Sequence, residues 1–241
     1  MFFMGNSKVT FRTLQSLAGS LAFCTKALPA GRAISRRIYA ATSKAKRPHH
    51  FIRVTNAMKC DLLVWKEFLE DFNGISYIPE INWSSHYDLE LYTDSAEGSS
   101  KVCAAIFARK WVFMQWPAAW ISTPVLRDIT YLELIPIALA IYLWGHLLKN
   151  KKVIFFCDNE AVMFILNNKS AKSERVMTLL RFVVYWTLKS NIQLKAKHIF
   201  SSFNKIVDYI SCGQVEQFRK LAPSADRCPC RIPVEFLGLL W

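Results

Sequence analysis

The sequence predicts a mixed α/β domain, a five-stranded sheet with helices packed on it, preceded by a helical segment. Three observations predict it. Strand-like runs occupy residues 88–95, 101–108 and 110–116 in close succession, which suggests an antiparallel meander. Lys152 to Asp158 is a short apolar run ending on an acid, the pattern of a buried strand. Ile192, Leu194, Ala196 and His198 alternate with Gln193, Lys195 and Lys197, supplying a fifth strand. With the helices between them the order reads β-β-β-α-β-α-α-β-α, and βαβ-type connections after a meander give a mixed sheet.

Each element has its own justification. Residues 10–28 place Leu14, Leu17, Leu21 and Leu28 at helical spacing until Pro29 interrupts. Ala30 to Ala41 carries Arg32, Arg36 and Arg37 on one face, and Ser43 to His50 is a basic linker. Thr55 to Phe72 forms a third helix with the stripe Met58, Leu62, Trp65 and Leu69. Asn73-Gly74 opens a turn-rich passage, so a helical segment over 1–73 and a linker over 74–85 lead into a domain over 86–213, with a tail over 214–241.

In the domain, Leu89, Leu91 and Thr93 alternate with Glu90, Tyr92 and Asp94. Thr130-Tyr131-Leu132-Glu133 has the form of a capping box before an apolar helix to Leu148, with Pro136 awkwardly placed. Either Thr130 caps and Pro136 kinks the helix, or the helix begins nearer Ile135. Asn159 to Asn168, Ser173 to Lys189 and Asn204 to Cys212 complete the helices, the last ended by Gly213.

Composition narrows the function. The 241 residues carry 31 Lys+Arg against 18 Asp+Glu, a net charge of +13, which calls for a polyanionic partner. Seven cysteines form no disulfide-like framework, and Cys228-Pro229-Cys230 with Cys212 lacks the ligands of a zinc site, so an intracellular, reducing compartment is expected. No signal peptide is expected, and the most apolar stretch, broken by Glu133, Pro136 and His146, is too short to span a membrane.

Four acids stand where such a sheet gathers ligands: Asp94 ending the first strand, Glu133 opening the first helix, Asp158 ending the fourth strand and Asp208 on the final helix. Converging carboxylates repel one another unless cations are bound, and hard oxygen donors select Mg²⁺ or Mn²⁺. Two such ions about 4 Å apart suit phosphodiester cleavage.

Leu91-Tyr92-Thr93-Asp94, Leu132-Glu133-Leu134, Cys157-Asp158-Asn159 and the segment from His198 through Asn204 to Asp208 resemble the ribonuclease H domain of retroelement reverse transcriptases, closest in look to DIRS-type retrotransposons. Trp144-Gly145, residues 165–170 and residues 218–226 support the likeness, and residues 14–21 and 29–33 resemble the region after a polymerase palm. The resemblance implies two-metal hydrolysis of the RNA strand of RNA–DNA hybrids. It implies Asp94, Glu133, Asp158 and Asp208 as catalytic, metal-binding acids, with no small-molecule cofactor and with other retroelement proteins as partners. Asn204 is expected to cap the last helix rather than bind metal. His198 is similar to the family's strand-end His but is not expected to act as a base. The sequence departs from the family where His-Ile-Pro-Gly becomes His198-Ile199-Phe200-Ser201, and where Val207 stands for the usual Ala.

No Tyr-x-Asp-Asp motif is present, so the reading is of a truncated element without a polymerase palm and without polymerase activity of its own. Lys169, Lys172, Arg175, Lys195 and Lys197 are the candidate phosphate contacts. The rival reading is a catalytically inactive nucleic-acid-binding fragment of a decayed retroelement.

Overall fold

The computed structural model describes residues 2–43, 47–70, 90–96, 102–238 and 240. The expected linker over 74–85 and the first residues of the domain lie outside the described residues. The chain forms two compact units, dividing between Asn82 and Trp83.

The first unit contains α1 (Phe2–Gly5), β1 (Lys8–Thr10), α2 (Phe11–Ala27), α3 (Gly31–Thr42), β2 (Phe51–Arg53) and α4 (Asn56–Glu70). The three long helices follow the predicted spans. The two strands do not appear in the periodicity, because three residues are too few to show an alternation. They pair antiparallel with Val9 opposite Ile52. Thr10 ends β1 and caps α2, its hydroxyl accepting from the Thr13 amide at 3.3 Å.

Gly31 sets how close α3 and α4 pack. A Cβ there would stand 2.4 Å from the Trp65 ring. The Trp65 indole N–H donates to Ser35 Oγ at 3.0 Å, and Ser35 donates to the Gly31 carbonyl at 3.1 Å, so ring and helix are locked together. Gly31→Ala is expected to destabilise this unit by about 1–3 kcal/mol, as overpacking does, read as an earlier loss of Trp65 fluorescence burial in urea.

The second unit contains β3 (Glu90–Ser95), β4 (Val102–Phe107), β5 (Lys110–Gln115), α5 (Ile129–Trp144), β6 (Lys152–Cys157), α6 (Glu160–Asn168), α7 (Glu174–Lys189), β7 (Gln193–His198), α8 (Lys205–Ser211), α9 (Val215–Leu221) and α10 (Val234–Leu237). The sheet runs β5-β4-β3-β6-β7. β3, β4 and β5 form the antiparallel meander, β6 joins β3 in parallel, and β7 joins β6 in parallel. This is a mixed five-stranded sheet of the ribonuclease H-like kind.

β4 is buried along its whole length, which is why Val-Cys-Ala-Ala-Ile-Phe shows no alternation. Ala104 and Ile106 face a core of Trp111, Val207, Ile210 and Phe218 from β5, α8 and α9. Phe107, on the opposite face, meets Trp144 of α5 at 6.0 Å between ring centroids.

α5 resolves the question of Pro136 in a third way. Asp128 is the cap, accepting from the Tyr131 amide at 3.1 Å. Thr130 therefore lies inside the first turn, and Pro136 sits within a continuous helix.

Each sheet edge is engaged over part of its length by other segments of the unit. Beyond residue 213, the stretch read as a tail packs into the domain: Phe218 and Ala225 join the Trp111 core. The Asp226 amide bonds the Arg109 carbonyl and the Cys230 amide bonds the Trp111 carbonyl, each at 2.8 Å, shielding β5. At the other edge the Asn167 side chain acts as a one-residue strand, donating to the Ala196 carbonyl at 3.0 Å and accepting from its amide at 2.9 Å. Asn167→Ala removes both bonds and is expected to cost about 1–2 kcal/mol, measured as a lower urea midpoint with faster amide exchange at Ala196.

Candidate metal centre

The register of the sheet makes the centre. β3 and β6 pair with Glu90 opposite Ile154 and Tyr92 opposite Phe156. The same offset sets Asp94 abreast of Asp158 at the ends of two parallel neighbours. The meander leaves β3 on one side and the βαβ units on the other, so this is the point where strand order reverses, and ligand crevices form there. Glu133 reaches the same point from α5.

Carboxylate oxygens of Asp94, Glu133 and Asp158 lie within 4.8 Å of one another. Asp94 and Glu133 are buried, Asp158 half-buried. Because Asp128 is the N-cap of α5, Thr130 and Glu133 do not occupy the N-cap and third helical positions that a capping box requires. Burial, reinforced by the negative charges of Asp158 and Asp208, pushes Asp94 up to about 6, against the pull of the Ser211 hydroxyl. Three hard oxygen donors in mutual repulsion are the donor set that Mg²⁺ or Mn²⁺ fits.

Asp208 is placed differently. It is exposed on α8 and outside the 4.8 Å group, yet near enough for its charge to act on Asp94. The Cys212 thiol approaches its Oδ1 at 3.6 Å. The structure thus gathers three of the four predicted acids and leaves the fourth at their margin.

Side chains from α8 and its approach hold the strand ends. Asn204 is the N-cap residue of α8, as expected, but its side chain makes no capping bond; its amide instead donates to the Thr93 carbonyl at 3.1 Å. Two turns further on, the buried Ser211 hydroxyl bonds Asp94 Oδ2 and stands 2.9 Å from the Asp208 carbonyl. Ser201 Oγ donates to Asp158 Oδ2 at 2.8 Å. These contacts are not legible in the sequence, because a serine acquires such a role only from what the fold sets opposite it.

The basic candidates are dispersed. Lys172 and Arg175 are exposed, and Arg175 lies over the Tyr131 ring at 5.6 Å. Lys195 and Lys197 are half-buried on β7. Lys169 ends α6 in the left-handed region at φ 54° and turns its ammonium onto the Leu166 carbonyl; burial lowers it to about 8. Between β7 and α8, Phe200 and Phe203 are 69% and 75% exposed, and His198 meets Phe200 edge-on at 5.5 Å. Cys103 and Cys157 are buried, with burial raising both thiols, so they behave as small apolar residues.

No family model matches the chain, and no curated protein matches it. Among solved structures, the ribonuclease H1 of the halophilic archaeon Halobacterium salinarum NRC-1 is similar over 53% of this chain and 97% of that one, at 11% identity and a TM-score of 0.39. The fold assignment stands on the strand order and register of the chain itself. No helix among the described residues is long and apolar enough to cross a membrane.

Proposed function

We propose that the second unit is a divalent-cation-dependent ribonuclease that cleaves the RNA strand of RNA–DNA hybrids, as part of a retrotransposon-derived reverse transcriptase. The observation that carries this reading is the meeting of Asp94, Glu133 and Asp158 at the reversal point of a ribonuclease H-like sheet. The retroelement origin, of DIRS type, is supported by the motifs around those acids.

Asp94, Glu133 and Asp158 would hold a Mg²⁺ or Mn²⁺ ion, which when bound lowers the pKa of a coordinated water and neutralises charge on the phosphate. Ser211 orients one carboxylate and Ser201 another, so neither acid is left to find its rotamer during turnover. The reading extends to a second ion, for which Asp208 is the remaining ligand.

In this reading the hybrid is held by exposed basic side chains such as Lys172 and Arg175 and, close to the acids, by Phe200 and Phe203, which lie on either side of the Ser201 that touches Asp158. Phe200→Ala with Phe203→Ala is expected to weaken hybrid binding about tenfold, as loss of base or sugar stacking does, measured by fluorescence anisotropy with Ca²⁺ replacing Mg²⁺.

The deciding experiment offers the full chain a labelled RNA–DNA hybrid with Mg²⁺ or Mn²⁺, beside Asp94→Asn. The expected result is cut RNA with the natural chain alone, and intact DNA. A folded natural chain that binds hybrid but cuts nothing under either ion favours the inactive binding fragment instead.

A further inference from the structure

We infer that Ser95 and Pro136 form one positioning device that fixes Glu133 relative to Asp94; the inference rests on the reading of the acid cluster as a cation site. Pro136 has no amide hydrogen, so the Leu132 carbonyl, four residues earlier, lacks the donor that any other residue in that helical position supplies. The Leu132 carbonyl accepts instead from Ser95 Oγ, at 2.9 Å. Ser95 directly follows Asp94, and Leu132 directly precedes Glu133. One hydrogen bond therefore ties together the peptide units that carry two of the three clustered acids.

The arrangement explains why an interior proline is tolerated at a site that needs precision. A proline within a helix removes a bond and loosens the turn before it. That turn is the one bearing Glu133. Here the freed carbonyl faces the strand, and the strand answers with the hydroxyl of Ser95, the residue that directly follows Asp94. Ser95 is itself held in the sheet opposite Cys103, so its position is set independently of α5. Asp128 fixes where the helix begins. Ser95 fixes its second turn against β3.

The mutual dependence gives the test. Pro136→Ala restores an amide that can bond Leu132 within the helix, which makes the Ser95 hydroxyl redundant. Four full-length chains are compared: natural, Ser95→Ala, Pro136→Ala, and both together, with Ser95→Thr as the conservative control. Mn²⁺ affinity is measured by titration calorimetry, and folding by thermal unfolding.

Ser95→Ala alone is expected to weaken Mn²⁺ binding about tenfold, the scale of losing a group that orients a ligand. In the Pro136→Ala background the same change is expected to cost under about twofold, and Ser95→Thr keeps the natural affinity. The unfolding temperatures of the cycle are expected to be non-additive. Ser95→Ala matching the natural Mn²⁺ affinity, or an equal loss in both backgrounds, overturns the positioning role alone. A natural chain that binds no Mn²⁺ overturns the cation reading itself, and the positioning role with it.

Discussion

Asp94→Asn is expected to make the second unit more stable at neutral pH while removing hybrid cleavage. Folding places the Asp94 carboxyl in a buried position near Asp158 and Asp208, and its pKa rises from 3.8 to about 6. The sign follows directly. A carboxyl whose folded pKa exceeds its unfolded value favours the folded state while protonated. That contribution is whole below about pH 4 and is lost as pH rises through 6. The displacement of about two pH units corresponds to roughly 3 kcal/mol at pH 7.5. Asparagine carries no charge, and its amide can donate to the Ser211 hydroxyl.

Thermal unfolding without divalent ions should therefore show the two proteins close at pH 4 and Asp94→Asn the more stable at pH 7.5. Adding Mg²⁺ should raise the natural chain and leave the variant unmoved. Hybrid cleavage should fall by about 10³-fold or more, the scale of removing a group on which the chemistry depends. A variant that is less stable than the natural chain at pH 7.5 would show that Asp94 is a structural acid, ionised and satisfied by its neighbours. Functional sites commonly carry such a conflict between stability and activity.

The parts of this molecule legible in sequence are those where one physical signal dominates. The meander was legible because Leu89 to Asp94 alternates and three strand-like runs follow closely. α7 was legible because Val176, Leu179, Leu180, Val183 and Val184 recur on one face. β1 and β2 were not, because a three-residue pairing depends on residues some forty positions apart and leaves no local period. The start of α5 stays open in the sequence between a cap at Thr130 and a start nearer Ile135, and the structure takes neither. Thr130 offered the better motif, and Asp128 has the bond.

The candidate site divides the same way. Carboxylates at strand ends announce themselves by residue type. Ser95, Ser201, Ser211 and Asn204 do not, because an alcohol or amide acquires its role from what the fold sets opposite it. The packing of the segment after residue 213, read as a tail, is not legible for a related reason. Its contacts are to Arg109 and Trp111, over a hundred residues earlier, and no short-range pattern encodes them.

Asp208 is where one cation and two cations make different predictions. Its carboxylate lies outside the group formed by Asp94, Glu133 and Asp158, on an exposed part of α8, but its charge reaches Asp94. Asp208→Asn leaves all three clustered acids and the Ser211 hydroxyl in place. Cation affinity at the cluster should then stay within about threefold of the natural value, since only a screened, partly solvated charge is lost. If catalysis needs a second ion at Asp208, cleavage should still fall by about 10²-fold, and the loss should appear in kcat with hybrid KM little changed. Part of it should return at high Mn²⁺, because a weakened site fills by mass action. Retained cleavage would make Asp208 a bystander and the three-acid cluster sufficient. Cation affinity lost together with cleavage would instead place Asp208 in the same site as Asp94.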